Sequence, residues 1–216
     1  MINEKRLLDT FIGYAMIDSE TKNEKAMGEK LVEDLKALGL EVKTDKAGEG
    51  FGSNGFNVCA YLPGTIPGEP TIMCAHMDTV TPGNGIKPLI DDGIIHTDGS
   101  TILSGDDKSG IAAIMEAVKV IKEQNLPCRN TEILFTIGEE GGMNGVKNMD
   151  LSMIKGKEAI RCQRRCWKDL NLRTWPDQDL RDDHRTFLPC RTCSGRGNQC
   201  DPGSGKGNRK DEPAPH

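Results

Sequence analysis

The 216-residue chain carries 28 basic and 33 acidic side chains, a mildly acidic balance that argues against nucleic acid as the main partner. No apolar run approaches the length of a membrane span, and the mixed-charge start Met1-Ile-Asn-Glu-Lys-Arg6 lacks the apolar core of a signal peptide. At this length one domain is the default, and two small ones also fit.

Asn3 to Met16 places Leu7, Leu8, Phe11 and Ile12 at helical spacing, which predicts a short amphipathic helix. The polar break Asp18-Ser-Glu-Thr-Lys22 precedes a second helix over about Asn23 to Leu38, with Met27, Leu31, Leu35 and Leu38 on one stripe and Gly39 as its stop. Leu40 to Lys43 reads as a strand. The glycine-rich stretch Ala47 to Asn54 lacks the spacing of a phosphate loop and reads as a turn. Asn57 to Tyr61 is a further strand, followed by a Pro/Gly turn. Thr71-Ile-Met-Cys-Ala-His-Met-Asp-Thr-Val80 then runs an apolar strand straight into His76, with Asp78 two residues on. In open α/β sheets ligand sites collect at such carboxyl ends.

Residues 86–98 alternate as a hairpin around Asp91-Asp92-Gly93, and His96 within it reads as a half-exposed strand residue. Gly105-Asp-Asp-Lys-Ser-Gly110 opens a strong helix from about Asp107 to Glu123, where acidic residues suit the positive end of the helix dipole. Thr131 to Ile137 is a buried strand closed by Gly138-Glu-Glu-Gly141, and Gly145 to Asn148 is a short helical turn. Strands alternating with helices imply an α/β fold with a partly parallel sheet flanked by helices. Cys59, Cys74 and Cys128 sit singly in or beside apolar segments and read as reduced, packed thiols, which places the expected location in the cytoplasm.

His76-Met-Asp78, Gly105-Asp-Asp-Lys-Ser-Gly110 and Gly138-Glu-Glu-Gly141 together resemble the co-catalytic zinc peptidase superfamily that includes aminoacylase and carboxypeptidase G. The second motif and its surroundings look most like the peptidase T (tripeptide aminopeptidase) branch. The resemblance covers residues 1–160 and implies the first half of a catalytic domain that removes amino-terminal residues from short peptides. It implies two zinc ions, with cobalt or manganese as substitutes. His76 and Glu140 would each bind one ion, and Asp106 would bridge them. Asp78 would sit behind His76 and fix its tautomer, Glu139 would be the general base, and Asp107 would cap the helix. The chemistry is coherent on its own terms: a carboxylate can share its oxygens between two cations, which a histidine cannot, and a neighbouring carboxylate can take a proton from the activated water.

Composition changes near residue 160. Residues 1–160 hold 16 basic and 25 acidic side chains; residues 161–216 hold 12 and 8, five of the 8 cysteines, and no Val, Ile, Met or Tyr. The resemblance calls for an aspartate ligand some twenty residues after the double glutamate, a later histidine, and an inserted lid domain through which intact relatives dimerise. The sequence instead reads Ile160-Arg-Cys-Gln-Arg-Arg-Cys-Trp-Lys168. The expectation is therefore a peptidase portion over 1–160 and an irregular or disordered Cys/Arg-rich tail over 161–216 produced by a shifted reading frame. Such a chain should be inactive alone, with Ile133, Leu134, Phe135 and Ile137 near an unfinished apolar face. The alternative is a non-catalytic, metal- or partner-binding relic, with Cys190, Cys193, Cys200 and His184 as a small zinc module.

Overall fold

The computed structural model describes residues 1–161, without the side chain of Arg161; the readings placed on residues 162–216 lie outside the described residues. All the described residues belong to one unit, Met1–Leu180. Helix α1 (Glu4–Ala15) starts where the Asn3 side chain accepts a hydrogen bond from the Arg6 amide at 3.0 Å. Its Phe11, Tyr14 and Ala15 are buried. Helix α2 (Lys25–Ala37) buries Met27, Leu31 and Leu35, the stripe expected from its 3.6-residue period, and ends at Gly39 with φ +71°.

Strands β1 (Glu41–Thr44), β2 (Val58–Leu62) and β3 (Thr71–His76) follow, then the hairpin β4 (Leu89–Asp91) and β5 (Ile94–His96). Helix α3 (Gly105–Glu123), strand β6 (Thr131–Thr136), the one-turn helix α4 (Asn144–Lys147) and strand β7 (Glu158–Arg161) complete the described order. The five-stranded sheet runs β1-β2-β6-β3-β7. The β3–β6 and β3–β7 pairs are parallel, while β1–β2 and β2–β6 are antiparallel, so the sheet is mixed as its alternating elements implied.

Strand alternation separates two apolar clusters. Val58, Ala60, Leu62, Ala75, Ile133 and Phe135 join the stripes of α1, α2 and α3 in the main core. Cys59, Ile72 and Leu134 point the other way and pack against Met149, Met153 and Ile154. The three long helices thus share one cluster rather than dividing between the two. This arrangement corrects the expected exposure of Ile133, Leu134, Phe135 and Ile137. All four are buried: Ile133, Leu134 and Phe135 because β6 is the middle strand, with a neighbour on each edge and apolar cover on each face, and Ile137 because it continues from β6 into the main core. Among the described residues no helix is long and apolar enough to cross a membrane.

The parallel β3–α3–β6 crossover fixes the position of the site. It pairs His76 with Thr136 at the carboxyl ends of adjacent strands and starts α3 from that same end. Arg6 of α1 binds Glu116 of α3 at 2.7 Å and also engages Glu123, which ties the amino-terminal helix to the crossover helix.

Candidate metal centre

Three loops converge at the carboxyl ends of β3 and β6. His76 is the last residue of β3 and is buried. Its Nδ1–H donates to the main-chain carbonyl of Asp78 at 2.9 Å, which leaves Nε2 facing Asp106 Oδ1 at 3.1 Å. Glu139 Oε2 lies 4.0 Å from the same Nε2. One donor atom each from His76, Asp106 and Glu140 lies within 4.8 Å of the others. The three residues singled out in the sequence as metal ligands are therefore brought together. His76 is enclosed by protein, while Asp106 and Glu140 are exposed.

The local backbone aims these groups. Asp106 and Asp107 stand at the head of α3 with non-helical dihedrals and a cis peptide between them, so regular helix begins only after Asp107. Asp107 is buried directly before that first regular turn. The double glutamate follows Gly138, whose φ of +61° suits glycine, and whose place a Cβ could not share with the Phe51 ring, 2.8 Å away. Gly48 explains the glycine-rich stretch in the same way. A Cβ there would sit 2.1 Å from the Gly55 carbonyl, so the loop is a close-packed turn rather than a phosphate cradle.

Asp78 does more than the sequence suggested. Its carboxylate lies 3.5 Å from His76 Nδ1, but its shorter contacts go elsewhere. Oδ1 accepts from the Glu139 amide at 2.9 Å; Oδ2 accepts from the Glu140 amide at 3.0 Å and from Thr21 Oγ1 at 2.9 Å. One buried carboxylate thus joins the histidine loop to the glutamate turn. Thr21 lies on a strap between α1 and α2 that runs beside Thr79, with Thr79 N donating to Ser19 O at 3.0 Å and Thr21 N to Thr79 O at 3.2 Å. Buried Lys108 secures the strap to α3 by donating to the Ile17 carbonyl at 2.6 Å. The strap, together with Glu24 and Asn57 near the turn, was missed in the sequence. Each is a polar residue in a turn or cap context, and only long-range pairing reveals its partners.

The charges follow from this crowding. Burial opposes a proton on His76, but hydrogen bonds to Asp106 and Asp78 and the nearby Glu139 charge outweigh it, and the imidazole is pushed up to about 10. Burial likewise opposes ionisation of Asp78, yet His76, the Glu139 amide and Thr21 hold it below the usual carboxylate range. Glu140 is held above that range by desolvation and by the charges of Glu139, Asp106 and Asp78, against the pull of His76. Several carboxylates gathered around one imidazole form a pocket that a divalent cation would relieve, and the mixed nitrogen–oxygen donors fit zinc and its first-row neighbours. A metal would have to displace the proton on Nε2.

Elsewhere among the described residues, His96 Nε2 meets Asp91 Oδ2 at 2.6 Å on the hairpin, as one isolated, partly exposed pair. Its reading as a strand residue stands.

Comparison with known proteins fits this geometry. Residues 72–164 match the peptidase family M20/M25/M40. The chain is 45% identical over 154 residues to a protein of Bacillus subtilis described as uncharacterized protein YqjE, covering 71% of this chain and 42% of that one. It resembles the crystal structure of a tripeptidase from Staphylococcus aureus with a TM-score of 0.72 at 40% identity. It resembles that of the aminopeptidase PepT from Bacillus cereus with 0.71 at 42%. Each alignment covers 74% of this chain and 43% of the solved one. The chain thus spans less than half the length of these relatives, and over that span it is similar to the amino-terminal portion of peptidase T-like members of the M20 peptidase family.

Proposed function

We propose that residues 1–160 carry part of the catalytic centre of a metal-dependent aminopeptidase acting on short peptides, tripeptides first. The observation that carries this reading is the convergence of His76, Asp106 and Glu140 within 4.8 Å beside Glu139. His76 Nε2 and the Glu140 carboxylate would each hold a divalent ion, zinc first and cobalt or manganese as substitutes, with Asp106 shared between two ions. When bound, such ions supply Lewis acidity and a lowered pKa for water.

The remaining steps belong to the chain's own residues. Glu139 takes the proton of the attacking water on its carboxylate as the C–O bond forms, and returns it to the leaving amine as the C–N bond breaks. Asp78 holds the amides of Glu139 and Glu140, an arrangement in which Glu140 would address the metal and Glu139 the water. Two ions sharing Asp106 would have two protein ligands each from this set, fewer than the three of an ordinary catalytic zinc site. The reading therefore expects loose metal binding and slow turnover from these residues alone. It places the protein in the cytoplasm, a setting that suits Cys59, Cys74 and Cys128, none of which is in a disulfide.

The test is hydrolysis by the purified 216-residue chain, with zinc or cobalt, of tripeptides and of N-acylated amino acids. Metal-dependent release of the amino-terminal residue supports the reading. Cleavage of the acylated amino acids with none of the tripeptides overturns it.

A further inference from the structure

Four consecutive amides lead into and through the double-glutamate turn, and every one is taken by a side-chain oxygen. Ile137 N donates to Asn57 Oδ1 at 3.1 Å and Gly138 N to Glu24 Oε1 at 3.1 Å; Glu139 N and Glu140 N donate to Asp78. Backbone amides usually find backbone partners, so a run of four held by side chains marks a segment whose shape is imposed from outside. Asn57, Glu24 and Asp78 are all buried. The structure assigns Glu24 as a positioning residue for the Glu139–Glu140 turn. This inference rests on the reading of those glutamates as site residues.

Glu24 reaches the turn from the start of α2, 114 residues away in sequence. Its Oε1 also accepts from the Lys22 amide at 2.9 Å, and its Oε2 accepts from Ser53 Oγ at 2.6 Å. One carboxylate therefore ties together the strap that bears Thr21, the glycine-rich turn, and Gly138. The close packing explains why small residues surround it: a Cβ at Gly55 would lie 3.0 Å from the Glu24 side chain. Asn57 fixes the preceding residue. Its Nδ2 donates to Asp45 Oδ2 at 2.8 Å and to the Gly145 carbonyl at 2.9 Å, which leaves its oxygen for Ile137. The hydrogen bond by which Glu24 reaches the turn is to the amide of Gly138, so its effect on the site passes through that backbone.

Amide hydrogen exchange, read residue by residue by NMR on the full 216-residue chain without metal, tests this directly. Glu24→Met keeps the length of the side chain and removes both acceptors. It should speed exchange at Gly138 and Glu139 by about tenfold or more, the scale of one lost hydrogen bond, while Ile133 and Phe135 of β6 exchange as before. Glu24→Gln retains an acceptor oxygen and should restore slow exchange. Cobalt affinity should fall by about tenfold in Glu24→Met, as when groups that orient metal ligands are lost, and stay near the original in Glu24→Gln. Should Glu24→Met fail to fold, Glu24→Asp, which draws the carboxylate back by one methylene, must show the same local acceleration. Uniform acceleration through β6, no acceleration at all, or unchanged cobalt affinity beside local acceleration would each overturn the inference. If the unsubstituted chain takes up no cobalt, the metal reading fails, and the exchange pattern alone decides whether Glu24 pins the turn.

Discussion

Among the described residues two histidines sit against aspartates, and one of the two pairs has the makings of a site. His96 and Asp91 face each other across the exposed β4–β5 hairpin at 2.6 Å, closer than any contact His76 makes with a carboxylate. Yet the other partner of the His96 ring is the carbonyl of the adjacent Thr97, 2.9 Å from Nδ1, and not a group from another element. His76 lies buried where two parallel strands end, with Asp106 delivered by α3 and Glu139 and Glu140 by the loop after β6. Short distance therefore says little about function. Convergence of independent elements on one buried ring says much more, because each element must be held there by its own packing and hydrogen bonds. At His96 the sequence-local hairpin is explanation enough.

The sharpest way to break this contrast is to remove the general base without touching the ligands. Glu139→Gln should lower any peptide hydrolysis by about 10²–10⁴-fold, the usual scale of a lost general base, with metal uptake nearly intact by equilibrium dialysis. Equal loss of metal in Glu139→Gln and His76→Ala would mean that base and ligand are assigned the wrong way round. A smaller effect is expected from the residue that joins the two loops. Asp78→Ala should weaken cobalt or zinc binding by about 10–100-fold, because the turn loses the acceptor for two consecutive amides. Asp91→Ala removes an equally close carboxylate from His96 and should leave metal affinity unchanged.

The smallest effect lies on the hairpin itself. The Thr97 carbonyl and the Asp91 carboxylate both favour the protonated His96 imidazole and raise its pKa above the ordinary value. A raised folded-state pKa means that the pair's stabilisation is fully present below the unfolded histidine's pKa and fades as pH rises through the folded one. An NMR titration of His96 should give a midpoint above that of an unstructured histidine, moved back toward it by Asp91→Asn. An unshifted midpoint would show that the pair does not persist in solution.

Much of this was legible in the residues. The stripe Met27, Leu31, Leu35 gave α2, and the apolar run into His76 gave β3, because periodicity is a local property. The three ligand candidates were legible because a metal site needs particular residue types at strand ends and helix starts. What could not be read was pairing. Nothing near Phe135 says that β6 is the middle strand, and its burial on both faces followed only from the order β1-β2-β6-β3-β7. Thr21 read as part of a polar break, Glu24 as the first turn of a helix and Asn57 as the start of a strand, since the site groups they hold lie 57 to 114 residues away. The carboxylate of Asp78 was expected behind the imidazole, yet two amides of a distant turn lie closer to it than the ring does. Hydrogen bonds across such separations leave no periodic trace in sequence.

A cobalt(II) titration followed by visible absorption tests the central claim most directly. The 216-residue chain should develop a saturable d–d spectrum of nitrogen–oxygen ligation, with no thiolate charge-transfer band. The spectrum should be lost in His76→Ala and unchanged in His96→Ala. A spectrum that survives His76→Ala, disappears with His96→Ala, or carries thiolate bands would contradict the assignment of His76, Asp106 and Glu140 as the metal centre.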